Sequence, residues 1–314
     1  MARWKILITD GLKPAGQAIL AQEAEVDDRN GITAEELREV IAAYDAVIVR
    51  SRTKITADVL AAAPRLKVVG RAGVGVDNID LEAAKARGVK VVNAPQASTQ
   101  AVAELAIGLM FALARRIPEA DAGMKRGEWL KKQLTGTELH GKTLGVVGMG
   151  RIGSRVGALA KALGMEIVGY DPLIPAEEIA RRGAAPVAEL TDLYAQADVI
   201  TLHVPLTPQT RGMVNAEAFA QMKPGVLLIC AARGGVIDED ALYHALESGQ
   251  VGGAGLDVFA QEPPGASRLV THPRVVATPH IGAQTREAQT RVATDIATEV
   301  LAALKGEKLR WRVV

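Results

Sequence analysis

A glycine-rich turn in the middle of the chain restricts the fold more than any other feature of the sequence. Gly148, Gly150 and Gly153 have GxGxxG spacing, directly after the apolar run 143–147 and directly before a helical pattern over 154–163. Glycines at these positions permit a tight turn, close approach of a pyrophosphate to the backbone and close packing of helix on strand. The helix N-terminus then presents free N–H groups to the phosphates. The motif predicts a dinucleotide-binding domain, and the long segment before it predicts a second domain.

The composition is typical of a globular protein with a net charge close to zero. It has 314 residues, 48% of them hydrophobic, and a formal net charge of +1. This balance gives no overall attraction to nucleic acid or to an anionic membrane, and we predict neither as a partner. Cys230 is the only cysteine, so no intramolecular disulfide is possible, and no apolar run has the length of a membrane span or a signal peptide. The sequence predicts a cytoplasmic protein without a metal site.

Short apolar runs alternate with helical patterns along the chain, which is typical of a parallel α/β architecture. Strands are predicted at 5–9, 46–50, 66–71, 89–93, 144–147, 166–170, 199–203, 226–230, 252–256 and 275–278. Helices are predicted at 14–21, 34–41, 57–62 and 81–87, followed by a long helix at 101–115 that Pro118 closes. The six later strands match a complete dinucleotide-binding domain.

The last helical pattern, 284–304, has little core of its own to join. We therefore expect it to pack on the first third of the chain. The sequence predicts a discontinuous substrate domain, residues 1–97 plus 285–314, with the cofactor domain, residues 98–284, inserted into it.

Asp171 is the candidate that selects the cofactor. It ends the second strand after the glycine motif, where a carboxylate can accept hydrogen bonds from the adenosine ribose hydroxyls. A 2′-phosphate at this position would meet a like charge, so the residue favours NAD over NADP. The alternative is that Asp171 only starts a turn with Pro172. A second glycine pair, Gly73 and Gly75, lacks the third glycine and is interpreted as a turn near the substrate.

Three candidate catalytic residues follow successive strands of the predicted central sheet. Arg233, Glu262 and His280 come after the fourth, fifth and sixth of these strands, and open parallel sheets bind ligands at that edge. An arginine can hold a carboxylate, and a histidine beside a carboxylate can exchange the hydroxyl proton as hydride leaves the neighbouring carbon. The set predicts oxidation of a 2-hydroxy acid. Taken singly, the histidine is more often a packing residue, the glutamate a solvated loop residue and the arginine a capping group.

These segments together resemble those of the D-isomer-specific 2-hydroxyacid dehydrogenases. The resemblance covers essentially the whole chain and rests on segments 49–54, 70–78, 148–153, 232–235, 256–259, 262–264 and 279–283. It implies a Rossmann-type parallel-sheet NAD domain inserted into a smaller flavodoxin-like α/β substrate domain. It also implies that Arg233 orients the substrate, that Glu262 partners the histidine and that His280 is the acid/base.

The resemblance further implies a set of cofactor contacts around the glycine motif. Besides the three glycines, these are Arg151, Ile152, Asp171, Ala231, Ala232, Arg233, Asp257, His280, Gly282 and Ala283. Three positions depart from the family pattern: Cys230 stands where asparagine is usual, and Val74 and Val204 stand where threonine is common. Each departure removes a polar group near the cofactor. We expect these three departures to change the affinity for the cofactor rather than the class of reaction.

A basic cluster in the first third is the candidate substrate site. Arg50 and Arg52 project to the same side of an extended segment, Lys54 continues that spacing, and Arg71 ends a later apolar run. The cluster predicts a phosphate or carboxylate pocket, and a solvated basic edge is the alternative. The predicted substrate contacts are Arg50, Ser51, Arg52, Arg71, Val74, Gly75, Arg233 and His280.

Similarity to the members of the family that oxidise 3-phosphoglycerate favours that substrate, and the resemblance implies that Lys131 reaches it from the partner subunit. The helix from 101 and the arm 120–134 resemble the dimerisation region of the family, so we expect a homodimer. Residues 281–314 complete the substrate domain, and we expect no regulatory domain or serine feedback. Glyoxylate, hydroxypyruvate or another small acid remains an alternative substrate. An NAD-sensing, corepressor-like binding protein is the alternative from another class.

Overall fold

The computed structural model describes residues 3–314, which form two compact units. One unit contains the described residues up to Ser98 together with Gln284–Val314, and the other contains Thr99–Ala283. These boundaries lie one residue from the predicted ones. The assignment of substrate binding to the first unit stays a prediction.

The first unit is built on a five-stranded parallel sheet with the order β2-β1-β3-β4-β5. Its strands are β1 Trp4–Ile8, β2 Ala24–Asp28, β3 Ala46–Val49, β4 Val68–Arg71 and β5 Lys90–Asn93. Its first helices are α1 Pro14–Ala21, α2 Ala34–Val40, α3 Ala57–Ala61 and α4 Leu81–Ala86, with a 3₁₀ turn at Ile41–Ala43. This strand order is that of flavodoxin-like folds, which confirms the predicted fold class.

The edge strand β2 is missing from the sequence-based prediction. Only Ala24 of its residues is buried, and its remaining side chains are mostly polar. The central strands β1 and β3 are covered on both faces by separate apolar clusters, so they carry continuous hydrophobic runs. The periodicity of the sequence therefore detects the central strands and misses the polar edge.

The second unit is built on a seven-stranded parallel sheet. Its helices are α5 Thr99–Ala114, α6 Ile117–Lys125, α7 Arg151–Ala162, α8 Ala176–Arg181, α9 Leu190–Gln196, α10 Ala216–Ala220 and α11 Glu239–Ser248. Its strands are β6 Thr143–Val147, β7 Glu166–Tyr170, β8 Ala185–Pro186, β9 Val199–Leu202, β10 Val226–Cys230, β11 Val251–Leu256 and β12 Val275–Ala277. The order β12-β11-β10-β9-β6-β7-β8 is a Rossmann arrangement with one additional strand at the end.

Pro118 begins a helix instead of ending one. It lies in the first turn of α6, where its missing N–H would have no partner in any case. Arg116, the residue before α6, has a left-handed backbone with φ 49°, and this separates α6 from α5. The prediction that Pro118 closes the long helix is therefore wrong, because α5 ends at Ala114 and Pro118 lies in the first turn of α6.

The chain returns to the first unit in the helix α12, Arg286–Lys305. Its buried face, which includes Val292, Ile296 and Val300, joins the apolar cluster beneath β1, β3 and β4. A short segment after α12 pairs with β5 through an antiparallel bridge between Val92 and Arg312. No helix among residues 3–314 has both the length and the apolar character needed to cross a bilayer.

Candidate active site

The glycine motif forms the turn between β6 and α7. Gly148 has a φ of 91°, and a Cβ atom there would lie 2.7 Å from the carbonyl oxygen of His203. A Cβ atom on Gly153 would lie 2.0 Å from the carbonyl oxygen of Gly148, whereas one on Gly150 would meet open space. The two outer glycines are required by packing, and the middle one leaves room in front of the helix N-terminus. This shape fits a pyrophosphate at the start of α7.

Asp171 lies beside this turn. Its Oδ2 accepts a hydrogen bond from the Met149 N–H at 2.9 Å, and its Oδ1 accepts one from the Leu173 N–H at 3.0 Å. Each oxygen retains a lone pair that a ribose hydroxyl can use. The side chain of Leu173 is 91% exposed, which is unusual for a residue of this type. Leu173, which follows Asp171 and Pro172, is not among the site residues predicted from the sequence.

Glu262 and His280 form a direct pair beyond the carboxyl ends of β11 and β12. The Nδ1 of His280 lies 2.7 Å from Oε2 of Glu262, and Oε1 of Glu262 accepts the Phe259 N–H at 3.1 Å. Both side chains are partly exposed, at 46% for His280 and 37% for Glu262. The pair is thus held on one side and open to solvent on the other, as a group that exchanges protons with a ligand must be.

Asp257 determines the conformation of the turn that carries His280. Its buried carboxylate accepts hydrogen bonds from the Thr278 hydroxyl at 2.6 Å and from the Ile281 and Gly282 N–H groups, each at 2.8 Å. Its carbonyl oxygen accepts the His280 N–H at 2.9 Å. The family resemblance implies a cofactor contact for Asp257, and its internal hydrogen bonds add a structural role that the local sequence pattern does not reveal.

Arg233 lies on the loop that follows β10, and this loop contacts the segment before Glu262. A Cβ atom on Gly234 would lie 1.8 Å from the carbonyl oxygen of Phe259, so the two loops are in backbone contact. The Arg233 Nη1 donates to the Ala232 carbonyl at 2.6 Å. The structure therefore brings the Arg233 loop against the Glu262 loop.

Cys230 lies directly beneath this loop. Its thiol is buried, and Sγ lies 3.8 Å from the Arg233 carbonyl oxygen, which it approaches as a donor. Burial raises the pKa of the Cys230 thiol to about 11, although the Ala232 and Arg233 N–H groups partly oppose this. The residue that replaces the usual asparagine is thus a neutral thiol packed under the loop.

The remaining predicted cofactor residues lie around the same edge of the sheet. Arg151 and Ile152 open α7, with Arg151 exposed and Ile152 half-buried. Ala231, Ala232 and Ala283 are also half-buried. Among residues 3–314, no group of three or more His, Cys, Asp or Glu side chains is arranged to hold a metal ion.

The arginines of the first unit differ in how their side chains are engaged. Arg52 donates to the carbonyls of Ile32 and Thr9, at 2.9 and 2.7 Å, and forms an ion pair with Asp10 at 2.8 Å. The Arg71 Nη1 donates to the Ala72 carbonyl at 2.9 Å, and its Nη2 approaches the Ser51 hydroxyl at 3.5 Å. Arg52 thus joins its own segment to Thr9, Asp10 and Ile32, whereas Arg71 contacts Ala72 and Ser51.

Arg50 is the arginine of the cluster with an available guanidinium. Only its backbone takes part in hydrogen bonds among the described residues, including one from its N–H to Asp10 at 2.7 Å. Its side chain lines a cavity of about 190 Å³ together with Asp10, Lys13 and Gln289. Burial lowers the pKa of Arg50, and the nearby Asp10 carboxylate partly opposes this. The half-buried guanidinium of Arg50 is thus available to an anion.

The other predicted substrate residues lie in separate surroundings. The Val74 carbonyl accepts the Asn93 side-chain amide at 2.7 Å, and Gly75 is half-buried. Lys131 is exposed in the loop after α6. A cavity of about 740 Å³ lies at the opposite edge of the second sheet, where β9, β10 and β11 begin, and none of the predicted site residues lines it.

The family assignment follows from residues 107–282. They match the family model for the NAD binding domain of D-isomer specific 2-hydroxyacid dehydrogenases, which is more than half of the chain. The chain belongs to this family. The second unit is accordingly its NAD-binding domain, and both the predicted family and the predicted cofactor are confirmed.

Individual dehydrogenases of the family are similar over nearly the whole chain. D-3-phosphoglycerate dehydrogenase of Methanocaldococcus jannaschii is 52% identical over 303 residues, which cover 96% of this chain and 58% of that protein. The chain thus spans less than three-fifths of the curated relatives it matches.

Two solved structures of the family match with almost complete mutual coverage. A glyoxylate reductase from Paecilomyes thermophila has a TM-score of 0.91 and 31% identity, covering 100% of this chain and 99% of that one. D-lactate dehydrogenase from Aquifex aeolicus, complexed with NAD and lactic acid, has a TM-score of 0.84 and 31% identity over 96% of both chains.

Proposed function

We propose that this protein oxidises D-3-phosphoglycerate to 3-phosphohydroxypyruvate with NAD. The observation that carries the proposal is the Glu262–His280 pair, 2.7 Å apart at the carboxyl edge of an NAD-binding sheet. Identity of 52% with a D-3-phosphoglycerate dehydrogenase supports the choice of substrate. The reaction serves serine biosynthesis in this proposal.

In the proposed mechanism, the Nδ1–H group of His280 donates a hydrogen bond to the Glu262 carboxylate and keeps its proton, so that the unprotonated Nε2 is the base. Nε2 takes the proton of the substrate hydroxyl while the C2–H bond breaks and C2 becomes a carbonyl carbon. NAD, when bound, supplies the acceptor for the hydride. The Glu262 carboxylate stabilises the imidazolium that results, and the same groups return the proton when the acid is formed from the keto compound.

Two arginine side chains suit the two anionic groups of the proposed substrate. Arg233 is proposed to hold the C1 carboxylate and to polarise the C2 oxygen, since a guanidinium fork matches a carboxylate. Arg50 is proposed to bind the phosphate, because its guanidinium is half-buried and lines a cavity. Ser51, Arg52, Arg71, Val74, Gly75 and the partner's Lys131 stay predictions.

Initial rates with matched substrates test this proposal. We expect reduction of 3-phosphohydroxypyruvate at a kcat/KM well above those for hydroxypyruvate and glyoxylate, with NADH in every case. Arg50→Gln should raise KM for the phosphorylated acid about 10- to 100-fold, the effect of losing a charge-assisted hydrogen bond, and leave the unphosphorylated acid unaffected. Lys54→Gln is the matched control, because Lys54 is exposed in the same basic segment.

Equal kcat/KM values for phosphorylated and unphosphorylated acids would replace the phosphoglycerate assignment with a general 2-hydroxy-acid one. NAD binding without turnover on any of these acids would instead support a dinucleotide-sensing protein. The assay thus separates both alternatives from the proposed reaction.

We also propose that the protein is a homodimer in the cytoplasm. Phe111, Ile117, Met124 and Trp129 are exposed apolar side chains on α5, α6 and the loop that follows, and a second copy of the chain would cover them. Light scattering should give twice the chain mass of 33.1 kDa, and Trp129→Ser should lower that mass while Leu173→Ser leaves it unchanged. A monomer at working concentration would contradict the dimer. Cell fractionation tests the location.

A further inference from the structure

Met149, within the glycine turn, forms backbone hydrogen bonds with three side chains. Met149 lies between Gly148 and Gly150, and its N–H donates to Asp171 at 2.9 Å. Its carbonyl oxygen accepts one hydrogen bond from the Ser154 hydroxyl at 2.9 Å and another from Nη1 of Arg182. Both polar groups of one backbone position are thus fixed by side chains outside the turn.

The Met149 side chain anchors the same residue from below. It is fully buried in the apolar cluster that contains Ile179 and Ala184, on either side of Arg182 in sequence. The segment that follows β7 therefore contacts Met149 through its packing, through Asp171 and through Arg182. Because backbone and side chain are both held, the peptide planes on either side of Met149 have little freedom.

Arg182 differs from its neighbour Arg181 although both contact Glu178. The Arg182 Nε lies 2.7 Å from Glu178, its side chain is 32% exposed, and its Nη1 reaches the turn. The Arg181 side chain is 77% exposed, and within residues 3–314 its one ion pair is with Glu178. Glu178 thus orients the Arg182 guanidinium toward the turn, whereas Arg181 is an ordinary surface ion pair.

We propose that Arg182 is a positioning residue for the dinucleotide, acting through the Met149 carbonyl. The N–H groups at the start of α7 bind a pyrophosphate only if the turn before them keeps its conformation. Holding that turn in the unliganded protein lowers the entropy lost on binding, so Arg182 strengthens NAD binding without touching the reacting atoms. The proposal rests on the NAD-binding domain and is independent of which acid is oxidised.

Arg182→Gln, with Arg181→Gln as the matched control, tests the proposal. We expect the Kd for NAD and for ADP-ribose, measured by titration calorimetry, to rise about five-fold in Arg182→Gln, the effect of one ordinary hydrogen bond. The KM for NAD should rise by the same factor while kcat stays constant. Arg182→Lys should recover part of the affinity, and Arg181→Gln should bind NAD as the parent protein does.

Arg182→Met separates positioning from loss of fold, because it keeps the packing of the aliphatic stem. It should show the same five-fold loss as Arg182→Gln with a melting temperature near that of the parent. The proposal is overturned if the Kd for NAD is unchanged in both variants. It is equally overturned if Arg181→Gln weakens NAD as much, or if kcat falls while the KM for NAD stays constant.

Discussion

His280 has a backbone conformation that side chains other than glycine seldom adopt. Its φ is 52°, and Arg116 is the only other described residue besides glycine with a positive φ. The conformation is maintained because the Asp257 carboxylate accepts hydrogen bonds from the N–H groups of the next two residues, Ile281 and Gly282, and from the Thr278 hydroxyl. A strained conformation held by its surroundings is common where a side chain must be aimed at a ligand.

The histidine role gives the first residue-scale prediction. His280→Ala should lower kcat by about 10² to 10⁴, the usual contribution of a positioned acid/base, while the Kd for NAD stays nearly constant. Glu262→Gln should lower kcat less, by about 10- to 100-fold, because the imidazole keeps a partner but loses the charge that stabilises its protonated form. Single-turnover rates and NAD titrations measure the two effects. Near-normal turnover of His280→Ala would exclude this residue as the acid/base.

The buried thiol gives a prediction about alkaline pH. The pKa of Cys230 rises from 9.0 to about 11 on folding, so the folded state disfavours the thiolate. Stability from the neutral thiol is present below pH 9 and is lost as the pH rises to about 11. The free energy of unfolding should therefore fall over this window by up to roughly 3 kcal/mol more in the parent than in Cys230→Ala. Urea titrations at pH 8, 9, 10 and 11 measure the difference, and parallel profiles would contradict it.

At the scale of elements, α12 completes the first unit and depends on a defined N-terminus. The Thr285 side chain accepts the Ala288 N–H at 3.1 Å, and Gly306 ends the helix in a left-handed conformation. Thr285→Ala should lower the free energy of unfolding by about 1 kcal/mol, because it removes this cap. Thr290→Ala is the control, an exposed threonine inside the same helix whose replacement should be neutral or slightly stabilising. Equal effects would show that the cap contributes nothing.

The element scale also explains which parts of the fold the sequence could predict. Central strands such as Ala46–Val49 are continuous apolar runs, so their positions follow from pattern. The edge strand Ala24–Asp28 carries mostly polar residues and has no apolar pattern of its own. It is extended because it pairs with β1. Pro118 is ambiguous in sequence, because a proline can either follow the end of a helix or occupy the first turn of one, as it does here.

The same distinction applies to the candidate site. Glu262 and His280 follow strand ends, so topology predicts that they meet. Arg52 forms a hydrogen bond with Thr9, and Asp257 forms one with Gly282. These residues are distant in sequence, so no local pattern predicts the contacts. Sequence reasoning thus identifies the candidate catalytic side chains better than the side chains that position them.

At the scale of the whole molecule, the cofactor should stabilise the protein selectively. NAD at about 100 times its Kd should add roughly 2.7 kcal/mol to the free energy of unfolding by mass action. NADP should add much less, because the 2′-phosphate would meet the Asp171 carboxylate. Thermal melting with each dinucleotide measures this, and Asp171→Ala should bring the two shifts closer together. Equal shifts in the parent protein would contradict the ribose contact.

The discontinuous first unit has a consequence for the order of events on the ribosome. The five strands β1 to β5 emerge first, but the helix that covers one face of their sheet, α12, is synthesised only after the entire second unit. The inserted unit has both of its apolar clusters complete before that time and can fold as soon as it emerges. Of these two units, the one whose sheet is synthesised earlier is therefore completed later, and the uncovered face of that sheet is the surface that chaperones would have to shield during translation.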